Sequence, residues 1–163
     1  MTTRLRSRRT SLVLVAGLAL TVIPLAAPPT TAHAAAGGGC GDWVTSVNTV
    51  GNVHANSSHE ACVNVDRSFE VNGDTYIYFA SERSDLWTAC TVTVTLWNPN
   101  TGKVYASGTG SCLGAARAGG EFYGKVQTTY LNDENRYQTI AFWRGTFGGR
   151  AVSSRIATSH LQL

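Results

Sequence analysis

The chain holds no segment in which apolar residues recur at helical spacing over three turns, which points away from an α-helical fold. It has no CxxC, which argues against a zinc ribbon or a thioredoxin-like redox pair. GxSxG, HExxH and phosphate-cradling glycine loops are missing too; "GTGSC" is only a distant likeness of the first. Charge is sparse, at 14% of residues. The one long apolar run, "SLVLVAGLALTVIPLAA" from Ser11 to Ala27, is too short and too poorly flanked for a stable membrane span.

What is present at the start reads as an export leader. Arg4, Arg6, Arg8 and Arg9 occur without an acid, the apolar run follows, and Ala32-His33-Ala34 gives an A-x-A cleavage site. Cleavage is expected after Ala34, with Ala36 next, so residues 1–34 form the signal peptide and residues 35–163 a single β domain. "SRRTSL" is similar to a twin-arginine signal, with Ser11 where an aromatic is expected. The Arg-rich, Ala-rich leader is of bacterial type, and the expected location is secreted, extracellular. "GGG" before Cys40 argues against a lipid anchor there.

Removing the leader changes the charge argument. Of 13 Lys/Arg, four lie in the leader, leaving nine against ten Asp/Glu. A net charge near −1 argues against a nucleic-acid partner. The last stretch is nonetheless basic: Arg136, Arg144, Arg150 and Arg155 follow Glu134 with no acid between them.

Cys40, Cys62, Cys90 and Cys112 all lie in the exported part, an even count that implies two disulfides. Four cysteines allow three pairings. Geometry favours 90–112: an antiparallel hairpin closed there sets Trp97 opposite Tyr105, Leu96 opposite Ala106, Val94 opposite Gly108 and Val92 opposite Gly110. Large then faces small on the inner side, and Thr91, Thr93, Thr95 and Trp97 occupy the other. "NPNTG" supplies the turn. The first two cysteines repeat the spacing, and "VTSVN-TVGNVHA" echoes "VTLWNPNTGKVYA". The echo fits two hairpins with Asn/Gly turns better than a duplication, and 40–62 with 90–112 is the preferred connectivity.

Other segments alternate with period two. Ile77 and Phe79 oppose Tyr76 and Tyr78. Phe122, Val126 and Tyr130 oppose Tyr123, Lys125 and Gln127. Ile140 and Phe142 oppose Tyr137, Ala141 and Trp143. "RAVSSRIATSHLQL" supplies a last strand, and "LGAARAGGE" one helical turn. "VNGDT", "SERSD", "LNDEN" and "GTFGG" read as turns, with Asn72-Gly73 the strongest hairpin signal. The expected fold is all-β: an antiparallel β-sandwich or barrel of about seven to ten short strands.

Candidates for chemistry are few. The exported part has three histidines, His54, His59 and His160, and "HANSSHE" brings His59 beside Glu60, the one weak catalytic pair. Glu121, Arg136 and His160 make a ribonuclease-like set only on paper. Asn56-Ser57-Ser58 matches a glycosylation sequon at a three-residue level. Of four tryptophans, Trp43, Trp87, Trp97 and Trp143, a domain this size buries one or two readily, so the others are expected at the surface. Trp97 with Tyr105, and Trp143, Arg144 and Phe147 of "FWRGTFGGR", are the candidate ligand-binding residues. Neither a cofactor nor a metal is expected.

The leading expectation is a secreted, non-enzymatic binding or surface-associated protein. Carbohydrate, cell wall or another secreted protein would be its partner, with no nucleic acid and no membrane once the leader is gone. An inhibitor of an extracellular protease or glycosidase, acting through the Phe147 loop, is the alternative; a small secreted hydrolase is the third.

Overall fold

The computed structural model describes residues 38–66, 70–129 and 136–159. The expected leader (residues 1–34), "LNDEN", Tyr130 and His160 lie outside them. The described residues form ten strands: β1 (Gly38–Cys40), β2 (Val44–Val50), β3 (Val53–Val65), β4 (Glu70–Phe79), β5 (Trp87–Trp97), β6 (Val104–Ser111), β7 (Glu121–Thr129), β8 (Gln138–Phe147), β9 (Arg150–Ser153) and β10 (Ala157–Thr158). The short helix α1 (Leu113–Ala118) precedes β7. No helix among the described residues is long and apolar enough to cross a membrane.

The strands form two antiparallel sheets. In the first, β1 and β2 lie end to end along one edge of β3, followed by β4 and β7. In the second, β9 and β10 lie end to end along β8, followed by β5 and β6. The inner faces of both sheets share one core, so the molecule is a β-sandwich. Its centre is aromatic. Trp87 meets Trp143 and Phe147 edge-on at 5.3 Å each, and Phe79 at 5.6 Å. The two indoles stay satisfied in this apolar setting: Trp143 Nε1 donates to Ser57 Oγ at 2.8 Å and Trp87 Nε1 to Ser81 Oγ at 3.1 Å.

The two broken edge strands meet and zip one side of the sandwich. Asn48 Nδ2 donates to the Ser153 carbonyl at 2.9 Å, and the Arg155 amide donates to Ser46 Oγ at 2.9 Å. On the opposite side, among the described residues, β6 and β7 each pair with one neighbour, and a slot of about 110 Å³ opens between them. Its floor is Val92, Val94, Phe122 and Val126.

Both expected disulfides are present, Cys40–Cys62 and Cys90–Cys112. The second hairpin pairs Val92 with Gly110, Val94 with Gly108 and Leu96 with Ala106, as anticipated. The small residues leave room for the other sheet: Val126 and Phe122 of β7 pack where side chains on Gly108 and Gly110 would sit. The opposition of Trp97 to Tyr105 does not occur. The register slips by one residue after Leu96, so Trp97 faces Val104.

"VNGDT" is also not a turn. Asn72 and Gly73 lie mid-strand in β4, paired to β3 on one side and β7 on the other. Close approach explains the glycine: a Cβ on Gly73 would come within 2.8 Å of Thr139 Oγ1 and 3.2 Å of Val126. The chain reverses instead between Asp66 and Glu70, where the Asp66 amide donates to the Glu70 carbonyl and Asp66 Oδ1 accepts from the Glu70 amide. "GTFGG" does turn. Gly148 and Gly149, at φ 55° and 75°, form the two-residue loop between paired Phe147 and Arg150.

Candidate functional site

The residues singled out above do not converge. Tyr105, displaced by the bulge, packs with Ala106 against the Val63, Val71, Leu96 and Tyr137 cluster, its ring 4.8 Å from Tyr137. Trp97 stays on the outer face of the second sheet, half-buried, with Nε1 donating to Gln138. The pair is therefore split between inside and outside. Trp143 and Phe147 are fully buried in the core, so neither ring is available to a partner. An aromatic knob on the Phe147 loop is replaced by a plug, because the two-glycine turn folds Phe147 back onto Trp87. Arg144 is exposed, its guanidinium 5.0 Å from the Phe142 ring.

His59 and Glu60 are adjacent on β3 and so point to opposite faces. His59 is buried: its Nε2–H donates to the Arg155 carbonyl at 3.0 Å, and Nδ1 has no partner among the described residues. Burial pushes its pKa below the ordinary 6.5 against the opposing pull of backbone hydrogen bonds. Glu60 lies outside. No single substrate atom is reached by both. Glu121 is on the first sheet's outer face, Arg136 is exposed before β8, and His160 lies outside the described residues. Ser57 of the sequon faces the core.

The side chains that do assemble come from the polar phase of the strands. On β4 the odd residues Val71 to Phe79 turn inward, leaving Asn72, Asp74, Tyr76 and Tyr78 on the outer face. Register extends this into rows across the sheet: Ser58–Tyr78–Glu121, Glu60–Tyr76–Tyr123 and Cys62–Asp74–Lys125. Trp43 joins from the break between β1 and β2. Its ring lies 5.4 Å from Tyr78 at 40°, and Tyr76 lies 5.1 Å from Tyr123 at 43°. Trp43, Tyr78 and Tyr123 are 48%, 45% and 50% exposed, and they are all the exposed aromatics among the described residues.

Carboxylates frame these rings. Tyr123 OH donates to Asp74 Oδ1 at 2.9 Å, and Asn64 Nδ2 donates to Asp74 Oδ2 at 3.0 Å. Partial burial, then the bond to Asp74, pushes the Tyr123 hydroxyl well above its ordinary pKa. Tyr78 is raised by desolvation, then by the charge of Glu121 and the hydrogen bond to it, then by Glu60; Tyr76 is raised by burial, then by Asp74, Glu60 and Glu121. The phenols are thus held neutral, and Tyr123 donates to a carboxylate. Glu60 also lies beside Cys40 and Cys62, with all three candidate ligand atoms within 4.8 Å of one another. The sulfurs are bonded to each other, so no thiolate is available there to hold a metal.

Sequence reasoning set Tyr76 and Tyr78 opposite Ile77 and Phe79, and Tyr123 opposite Phe122, without joining them into one surface. The signal was available in the shared phase, but the order β3–β4–β7 that makes them neighbours was not. Comparison with protein-family models, curated proteins and solved structures finds no match.

Proposed function

We propose that this protein is a secreted, non-enzymatic binding domain that holds a saccharide ligand on the outer face of the β3–β4–β7 sheet. The observation that carries this reading is the gathering of every exposed aromatic among the described residues, Trp43, Tyr78 and Tyr123, on that one face, together with Glu60 and Glu121. Ring faces pack against the apolar faces of sugar rings, and neighbouring carboxylates and phenols bond the hydroxyls. Export is supported by the leader and by the two disulfides, which persist in oxidising compartments. An open sheet face excludes no water and places no base beside a nucleophile, so the arrangement favours holding a ligand over converting it.

Retention on insoluble polysaccharide tests the reading. The wild type is expected to be retained, and Trp43→Ala or Tyr123→Ala to release it with little change in melting temperature. Thr93→Ala, on the outer face of the other sheet, leaves retention intact. Passage of the wild type through cellulose, chitin, chitosan and peptidoglycan columns would overturn it.

A further inference from the structure

Resting on that reading, we propose that the bound saccharide carries protonated amino groups: the face is built for a chain of 2-amino-2-deoxy sugars rather than for a neutral or anionic glycan. The charge on the face is one-sided. Among the described residues of its rows, Glu60, Asp74 and Glu121 stand against Lys125 alone. An anionic polymer would meet repulsion there, whereas an ammonium group gains from each carboxylate nearby.

The rings add to this. Tyr123 donates its hydroxyl proton to Asp74, and Tyr78 lies opposite Glu121 across the β4–β7 pairing. A phenol that hydrogen-bonds to a carboxylate has a more electron-rich ring, and ring faces attract cations through their quadrupole. Geometry then argues for a flexible chain over a flat crystalline surface. In each aromatic pair the planes are inclined by about 40°, at 40° and 43°. Two such rings form a shallow V, and a planar crystal face cannot lie flush on both. The two pairs also belong to different rows, Trp43–Tyr78 and Tyr76–Tyr123, so successive units of one chain have successive aromatic seats.

Calorimetric titration with a glucosamine hexamer and with its fully N-acetylated counterpart isolates the amine, because the backbone is otherwise the same. With the amines protonated, the glucosamine form is expected to bind about tenfold tighter, the scale of a few partly exposed cation–π and carboxylate contacts. Added salt should erode the difference. Glu121→Gln and Glu60→Gln should each narrow the ratio, and Trp43→Ala should weaken both ligands. Equal or tighter binding of the acetylated hexamer overturns the amine inference while leaving the binding face standing. Failure of both hexamers, with no retention on any polysaccharide, overturns both readings. Lysine hexapeptide binding as tightly as the glucosamine hexamer overturns the saccharide commitment in favour of a general cation-holding surface.

Discussion

The two disulfide-closed hairpins look alike in sequence and differ in which way their sulfurs face. Each spans 22 positions between cysteines, and their echoing residues keep a common orientation: Val94 and Leu96 point inward, as do Ser46 and Ala55. Cys90 and Cys112 belong to the core with Trp87, Val92 and Ala116. Cys62 instead shares an outer row with Asp74 and Lys125. One residue makes the difference. Val44 pairs with His59 and Cys40 with Cys62, so the edge strand spends three residues, 41–43, against two on β3. That bulge inverts the facing of everything before it. It turns Cys40 outward and in the same step projects Trp43 over the tyrosines. The second hairpin carries no bulge between Cys90 and Leu96 in its β5–β6 pairing and serves as scaffold.

Removing each disulfide tests this contrast most strongly. Equal loops give equal chain-entropy terms of about 3 kcal/mol. Cys90→Ala with Cys112→Ala also empties sulfur volume from the core, for a total loss of about 4 kcal/mol. Cys40→Ala with Cys62→Ala should stay near about 3 kcal/mol. Urea unfolding of the two double variants measures the gap, and a larger loss from the outer pair would reverse the assignment. Mild reductant applied to the folded protein should open Cys40–Cys62 first, since Cys40 is half-exposed and both sulfurs of the other pair are buried.

Corresponding inward positions sharpen the contrast further. Leu96 and Ser46 occupy matching places in the two hairpins, and both are buried. Leu96→Ala removes apolar volume from between the sheets and should cost about 3 kcal/mol. Ser46→Ala deprives the Arg155 amide of its acceptor and should cost about 1 kcal/mol. Comparable losses would mean that the first hairpin is as much a part of the apolar core as the second.

How much of this could be read beforehand follows from the range of the interactions. Strand phase is local, so the alternation of Ile77 with Tyr78 and of Phe122 with Tyr123 was legible, as was the pairing of Val94 with Gly108. Cys90–Cys112 followed from hairpin geometry, and Cys40–Cys62 from the repeated spacing and the echo between the two segments. The bulges were not legible, because each depends on contacts far along the chain: Tyr105 turns in to meet Tyr137, and Gly41 sits against the carbonyl of Thr158. Gly73 misled for the same reason. Its lack of a side chain serves Thr139 and Val126 rather than a turn. The aromatic face needed strand order, which no local pattern carries.

The smallest expected effect separates the inner faces of the two hairpins by their response to acid. In the first, the inward residue of β3 opposite Val44 is His59, buried and held neutral; in the second, the inward residues of β6 include Gly108 and Gly110, which do not titrate. The folded pKa of His59 lies below its ordinary 6.5, so the unfolded chain binds the proton more readily. Its contribution is therefore fully present above about pH 6.5 and is lost as pH falls toward the folded value. His59→Gln, which keeps an amide donor for the Arg155 carbonyl, should flatten the fall in stability between about pH 7 and about pH 5. Amide exchange followed over the same range should show protection fading in β2 and β3 before β5 and β6. The reverse order would mean that acid does not act through the buried imidazole of the first hairpin.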